Sequence, residues 1–258
     1  MFAEERHRLI LEQLEKDGKV SVAQLSQRFD ITRETVRRDL AQLESENCLR
    51  RVHGGAVATS EASTREESYV VRTTIHSDAK ARIAQRALGL LPVSDASVII
   101  DAGTTTEILA ERMVKANAGS GLVVITHALP IASALIHCPD IALELIGGRV
   151  RGLTGATSGA RTAQEYSQYR ADIAFIGTNG LHAGFGLSTP DPLEAAVKRA
   201  LVASARRVVL LADSSKFDQE TLVRFASLEA IDTLVTDQQP GTELAAALDA
   251  ADVEVVVA

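Results

Sequence analysis

Arg33, Thr35, Arg37 and Arg38 crowd into six residues of the segment ITRETVRRDL, directly behind Thr32, and Arg50, Arg51 and His53 follow in RRVHGG. A guanidinium is a planar fork of donors that pairs with guanine edges or phosphate oxygens, so this grouping suits a polyanion such as a nucleic-acid duplex. A second group offers different chemistry. Asp101-Ala102-Gly103-Thr104-Thr105-Thr106 combines a carboxylate, a glycine that lets backbone approach a ligand, and three hydroxyls where a helix begins. That combination suits a phosphate without needing a lysine. Solvated arginines and an ordinary capped helix start are the plainer alternatives, and on these residues alone both stay open.

Elements of helical period must carry the first group. Glu4 to Lys16 reads as an amphipathic helix through Leu9, Ile10 and Leu14, ended by Asp17-Gly18. Ser21 is placed to cap a second helix that turns Val22, Leu25 and Phe29 inward. Asp30 and Ile31 form a tight turn. Thr32 then caps a third helix reaching about Glu46, with Val36, Leu40 and Leu43 as its buried stripe and Thr35, Arg38 and Asp39 spread around it. The N-terminal half of such a helix is the part that meets bases and phosphates. Leu49 to Val57 reads as two short strands around a glycine turn, a wing whose basic side chains lie along a duplex backbone.

The second group needs a sheet. Ala58 to Ser77, rich in Ser, Thr and Glu, reads as a linker with Tyr69 and Arg72 docked on the body of the protein. A helix over Lys80–Leu91 comes next. Strands are then expected at Ser97–Ile100, Leu122–Thr126, Leu143–Ile146, Asp172–Gly177, Arg207–Ala212, Thr233–Thr236 and Val253–Val257, with helices between them. Strands apolar throughout and separated by helices imply a mostly parallel, two-sided sheet, hence an α/β fold. The organisation predicted is a small head at 1–57, a linker at 58–77 and a larger body at 78–258.

In open α/β sheets ligands bind beyond the carboxyl ends of the strands. Four clusters fall there: Asp101–Thr106, Thr126-His127, Gly147-Gly148-Arg149 and Gly177-Thr178-Asn179-Gly180. Their convergence predicts a pocket. Glu194 and Lys198, four apart on a helix, either pair at the surface or face that pocket with Lys216 nearby. Arg149 and Arg151 either add charge to it or are solvated.

Composition excludes several classes. Aromatic residues are 3% of 258, with no Trp, so the core must be aliphatic. No apolar run approaches the about 18 residues needed to span a bilayer, and the charged start lacks a secretory signal, so no membrane partner and a cytoplasmic place are expected. Cys48 and Cys138 are isolated and the histidines scattered, which predicts neither disulfide nor metal. Gly184-Phe185-Gly186 opens a dinucleotide pattern that Thr189 breaks, and no phosphate-binding P-loop occurs, so no cofactor is expected. The net charge of −7 lies wholly in residues 61–258, whereas residues 1–60 balance ten basic against ten acidic groups. An acidic body repels nucleic acid and confines phosphate contact to the basic cluster of the head.

The segment VSVAQLSQRFDITRETVRRDLAQLESENCLRRVHGGAV resembles the N-terminal signature of the DeoR family of bacterial transcriptional regulators. It departs at Glu46-Asn47-Cys48, where the family commonly has glycine; Asn also tolerates a left-handed helix end. The segments IIDAGTTT, VVITHALPIA, LIGGRVR, ADIAFIGTNGL, GLSTPDPLEAAVKRAL and VVLLADSSKF are similar to that family's sensor domain, whose fold is like ribose-5-phosphate isomerase. The resemblance spans nearly the whole chain. It implies a winged helix-turn-helix head that binds double-stranded operator DNA through Ser21, Thr32, Arg33, Thr35, Arg37, Arg38, Arg50, Arg51 and His53. It makes Asp101, Gly103, Thr104 and Thr105 a phosphate loop and puts Asn179, Glu194, Lys198 and Lys216 near a sugar. With the strand-end clusters, the expected effector site adds Thr106, Thr126, His127, Gly148, Arg149 and Gly180. His127 stands where the family more often has Asn, which bears on the sugar recognised.

The function implied is repression of sugar uptake or catabolism genes, relieved by a phosphorylated sugar, a fructose or other hexose phosphate first. Paired heads on repeated half-sites imply a homo-oligomer. The alternative is a sugar-phosphate isomerase with a DNA-binding appendage. Isomerisation through an enediolate needs a base at the carbon acid. In the isomerase relatives an aspartate-rich segment lies where this chain has Gly177-Thr178-Asn179-Gly180, and an amide cannot take that proton. Glu194 is the remaining candidate base, and the expectation is that the chain is not an enzyme.

Overall fold

The computed structural model describes residues 2–17, 19–46, 48–52, 54–57, 66, 69–116, 118 and 121–258. They form two units, Met1–Ile75 and His76–Ala258. The first contains α1 (Ala3–Asp17), β1 (Lys19–Ser21), α2 (Val22–Phe29), α3 (Arg33–Ser45), β2 (Arg50–Val52), β3 (Gly55–Val57) and α4 (Tyr69–Thr74). Ser21 Oγ accepts from the Gln24 amide at 3.1 Å and starts α2. Asp30 ends it in the left-handed conformation, φ 53°, which a short polar side chain tolerates. Thr32 Oγ1 accepts from the Thr35 amide at 3.1 Å and starts α3. Ile10, Leu14, Leu25, Val36, Leu40 and Leu43 close the core beneath these helices.

The wing is a three-stranded antiparallel sheet in the order β1-β3-β2, one strand more than the sequence suggests. Gly54 turns between β2 and β3 at φ 83°, a left-handed conformation that favours glycine. Residues 69–74, expected to belong to a linker, are helical instead. Val71 and Ile75 are buried in the core of the first unit, so burial of apolar surface overrides the polar composition around them. Residues 58–65, 67 and 68 of the expected linker, together with Asn47 and His53, lie outside the described residues.

The second unit runs α5 (Ser77–Leu88), β4 (Ser97–Ile100), α6 (Thr104–Lys115), β5 (Leu122–Thr126), α7 (Leu129–Leu135), β6 (Ile141–Leu145), β7 (Arg149–Arg151) and β8 (Ala156–Ser158). It continues with α8 (Ala160–Tyr166), β9 (Ala171–Ile176), β10 (Gly180–His182), β11 (Gly186–Thr189), α9 (Pro192–Ala203), β12 (Ala205–Leu211), β13 (Val223–Ala226), β14 (Thr233–Thr236), α10 (Thr242–Ala250) and β15 (Glu254–Val257). Seven strands pair in parallel in the order β15-β14-β12-β9-β4-β5-β6. Alternation of side chains makes both faces apolar. Ala174, Ile176, Val208 and Leu210 pack with α8, α9 and α10, whereas Ile173, Phe175, Val209 and Leu211 pack with α5, α6 and α7. A small antiparallel sheet, β10-β11-β13, and the β7-β8 hairpin were not foreseen. No helix among the described residues is long and apolar enough to cross a membrane.

From β4 the chain winds outward through β5 and β6, then returns to β9 on the other side of β4 and winds away through β12, β14 and β15. The order therefore reverses between β4 and β9. Such a reversal opens a crevice at the carboxyl ends of the two strands.

Candidate functional site

One buried carboxylate links the carboxyl ends of β4 and β9. Asp101, directly after β4 and fully buried, accepts the Gly177 amide at 2.9 Å from beyond β9. Lys198, buried on α9, donates both to Asp101 Oδ2 and to the Gly177 carbonyl, the latter at 2.9 Å. Glu194 is therefore not the partner of Lys198. It accepts from Arg151 Nη1 at 3.1 Å, and Arg151 Nε lies 3.4 Å from Asp191 Oδ2. Asp191 itself caps α9 through the Leu193 and Glu194 amides at 2.8 and 2.9 Å.

Asp101 Oδ1 has no hydrogen-bond partner among the described residues. It faces His127 Nε2 at 3.9 Å. His127 follows β5 and is buried, and its Nδ1 lies 2.9 Å from the Tyr166 hydroxyl. Burial pushes the imidazole below its ordinary range and outweighs the pull of Asp101; Lys198 pushes the same way. Burial also raises Tyr166 well above the usual phenol range, with the Asp101 charge adding to it. A neutral Tyr166 donating to Nδ1 leaves the imidazole proton on Nε2, the nitrogen that faces Asp101.

The hydroxyls of this edge divide into two kinds. Thr106 Oγ1 lies 2.7 Å from the Asp101 carbonyl and 2.8 Å from that of Gly103, and it shares its proton between them. Thr126 Oγ1 donates to the Ile100 carbonyl at 2.7 Å and accepts from the Ala128 amide at 3.2 Å. Both serve the backbone. Thr104 and Thr105 begin α6 with hydroxyls that have no partner among the described residues, and no side chain caps the helix at Gly103. Asn179 binds the Ser188 carbonyl through its backbone amide at 3.1 Å, which leaves its carboxamide unpartnered among the described residues.

Two glycines are required by close approach. A Cβ on Gly180 would meet the Gln219 carbonyl at 2.4 Å, and one on Gly148 would meet Thr162 Oγ1 at 2.2 Å. Arg149, beside Gly148, is exposed. Lys216 stands farther along the same edge, after β12. There its charge, the Ser215 hydroxyl, Lys80 and His76 hold the buried Asp213 carboxyl below the usual range although burial opposes this. Lys80, Tyr166, Asp191 and Asp213 were not foreseen. A lysine in the buried stripe of α5 was the available signal for the first of them. A cleft of about 420 Å³ bounded by Arg82, Arg86 and Arg112 shares no residue with the crevice.

On the first unit, Arg33, Arg37 and Arg38 are exposed on the N-terminal half of α3. Arg37 lies 3.5 Å from Glu34 in an exposed contact that salt screens. The Thr32 and Ser21 hydroxyls are engaged in capping, and Thr35 Oγ1 lies 2.8 Å from Thr32 Oγ1. Arg51 is tied to α3, its amide donating to Glu44 Oε1 at 2.8 Å. Arg50 contributes backbone to β2.

Residues 6–62 match the model of the DeoR-like helix-turn-helix domain, and residues 75–238 match that of the DeoR C terminal sensor domain. The chain is 36% identical to the uncharacterized HTH-type transcriptional regulator FruR of Bacillus subtilis, covering 93% of each. It is 32% identical to the glycerol-3-phosphate regulon repressor of Escherichia coli over 92% of this chain and 91% of that one. With the HTH-type transcriptional repressor GlcR of Bacillus subtilis it shares 30%, over 100% and 97%. Among solved structures, ribose 5-phosphate isomerase a from Methanocaldococcus jannaschii overlaps 55% of this chain and 54% of its own, at 16% identity and a TM-score of 0.39.

Proposed function

We propose, from the premise that this chain belongs to the DeoR family of helix-turn-helix transcriptional regulators, that it represses sugar uptake or catabolism genes and releases its operator when a phosphorylated sugar binds. The family is one of regulators and repressors rather than of enzymes. The head binds DNA. Arg33, Arg37 and Arg38 read and hold the duplex, with Arg50, Arg51 and His53 along its backbone. Paired heads require a homo-oligomer, and the place of action is the cytoplasm.

The observation that carries the effector reading is the start of α6. Among the described residues, two hydroxyls without partners, the N-terminal amides of a twelve-residue helix and a half-satisfied buried carboxylate stand together where the strand order reverses. A phosphate lies against those amides, where the helix dipole favours an anion. Sugar hydroxyls then reach Asp101 Oδ1, His127 and Asn179. The name of one relative, which speaks of a glycerol-3-phosphate regulon, supports the class. Fructose or another hexose phosphate is the first choice. Binding shifts the sensor toward a state that weakens operator affinity about 5- to 150-fold, the span of a typical coupling energy.

The test is a thermal-shift panel of fructose 1-phosphate, fructose 6-phosphate, glucosamine 6-phosphate, glycerol 3-phosphate, ribose 5-phosphate and inorganic phosphate. A gel-retardation assay is then run on DNA upstream of the protein's own gene, with and without whichever compound raises the melting temperature. A compound that stabilises the protein and also releases the duplex is expected. Silence across the panel would end the effector reading.

A further inference from the structure

Asp39 occupies a place where the pattern of α3 calls for a hydrocarbon. Val36, Asp39, Leu40 and Leu43 form the buried stripe of that helix, and Asp39 is 5% exposed. Its partner, Arg6 on α1, is 8% exposed. Arg6 Nε donates to Asp39 Oδ2 at 2.6 Å and Nη2 to Oδ1 at 2.9 Å, a two-bond fork. His7 Nε2 approaches Oδ1 at 3.1 Å. Burial works against the Asp39 charge, yet the hydrogen bonds from Arg6 and His7 hold the carboxyl below its ordinary range.

A buried fork is a poor way to gain stability, because removing two ions from water offsets most of their attraction. Its distinctive contribution is direction. Packing among Val36, Leu40 and Leu43 is non-directional and tolerates a small roll of the helix. A planar guanidinium bound through two parallel hydrogen bonds does not. At about 100° per residue, Arg37 lies roughly 160° around α3 from Asp39, and Arg33 roughly 120°. The fork thus grips the back of the helix whose front carries the arginines. On a helix about 5–6 Å in radius, a roll of about 10° moves a front group by about 1 Å.

We propose that the Arg6–Asp39 fork, steadied by His7, is the positioning device of the DNA interface. It sets the roll of α3 so that Arg33, Arg37 and Arg38 meet base edges in register, and it serves sequence discrimination rather than stability. This rests on α3 being the helix that reads DNA.

The full-length protein first selects a preferred duplex from a random pool. Fluorescence anisotropy then gives affinities for that duplex and for poly(dI-dC) at one salt concentration. The variants are Arg6→Met with Asp39→Leu, Arg6→Lys alone and Asp39→Asn alone, each checked by thermal melting. The apolar pair is expected to melt near the wild type and bind poly(dI-dC) unchanged, while losing about tenfold or more on the selected duplex, as a spoiled bidentate base contact does. Arg6→Lys keeps the charge but not the fork, and it should lose the same ratio to a lesser degree. A folded apolar pair with an undiminished ratio overturns the proposal, as does equal loss on both duplexes. Should that pair not fold, the ratio for Arg6→Lys and Asp39→Asn decides by the same criterion. If the wild type selects no duplex, the reading of α3 falls, and this inference with it.

Discussion

Lys198 on α9 and Asp101 at the end of β4 form a buried ion pair across the point where the strand order reverses, and the same ammonium holds the Gly177 carbonyl beyond β9. One cation therefore ties together the two loops that flank the crevice. Removing it strands an ionised carboxylate without a counter-charge. Lys198→Met should lower the unfolding free energy by about 3–5 kcal/mol. Adding Asp101→Asn removes the stranded charge and should restore most of the loss. Urea unfolding followed by circular dichroism checks both, and a double variant no more stable than Lys198→Met contradicts the account.

Thr105 and Thr106 are neighbours with opposite expected phenotypes. Thr106→Val deprives the Asp101 and Gly103 carbonyls of a buried donor and should cost about 1–3 kcal/mol of stability. Thr105→Val removes a hydroxyl without a partner among the described residues, so the melting temperature should hold. Affinity for the stabilising sugar phosphate should fall about 10-fold or more, the worth of a hydrogen bond to a charged group. Melting and titration calorimetry of the two variants separate the roles.

Arg37 is exposed on α3, outside the buried stripe of that helix. Arg37→Ala should weaken operator binding by about 1–3 kcal/mol and leave the thermal shift by sugar phosphate intact. A base contact relaxes sequence preference, whereas a phosphate contact lowers the salt slope by about 1. Loss of the thermal shift in this variant would argue against separate sites.

His127 titrates below its ordinary value of 6.5 in the folded protein because it is buried. Below that value the unfolded chain takes up a proton that the folded chain does not, so unfolding gains from acid. Stability is fully present above pH 6.5 and declines as pH falls toward the lowered folded value, by at most about 1.4 kcal/mol per pH unit. His127→Asn, which does not titrate, should flatten the melting profile between pH 6.5 and 5 relative to the wild type. Parallel profiles for the two proteins would show that His127 does not supply this slope.

The sheet and its carboxyl edge were legible because apolar runs, glycines and hydroxyls repeat in step with parallel strands. The residue partnerships along that edge were not. Glu194 and Lys198 are the nearest opposite charges along the chain, yet Lys198 pairs with Asp101, 97 positions away, and Glu194 with Arg151. Three consecutive threonines look equivalent in sequence. Successive residues turn by about 100°, and only Thr106 swings its hydroxyl back onto the carbonyls that precede the helix. Asp39 was set around α3 with the polar residues because patterning assigns charge to the surface, and only a partner on another helix makes its burial tolerable. The strands of β10, β11 and β13 are three or four residues long, too short for a period to register.

Helix α4 sets where the head can be cut. Val71 and Ile75 each bring about 1.5–3 kcal/mol of burial to the first unit, although they come after the wing in the chain. A fragment trimmed after Val57 gives up both, and it is expected to be less stable than one carried through Ile75. Transplanting this DNA reader onto a foreign sensor therefore means taking α4 with it.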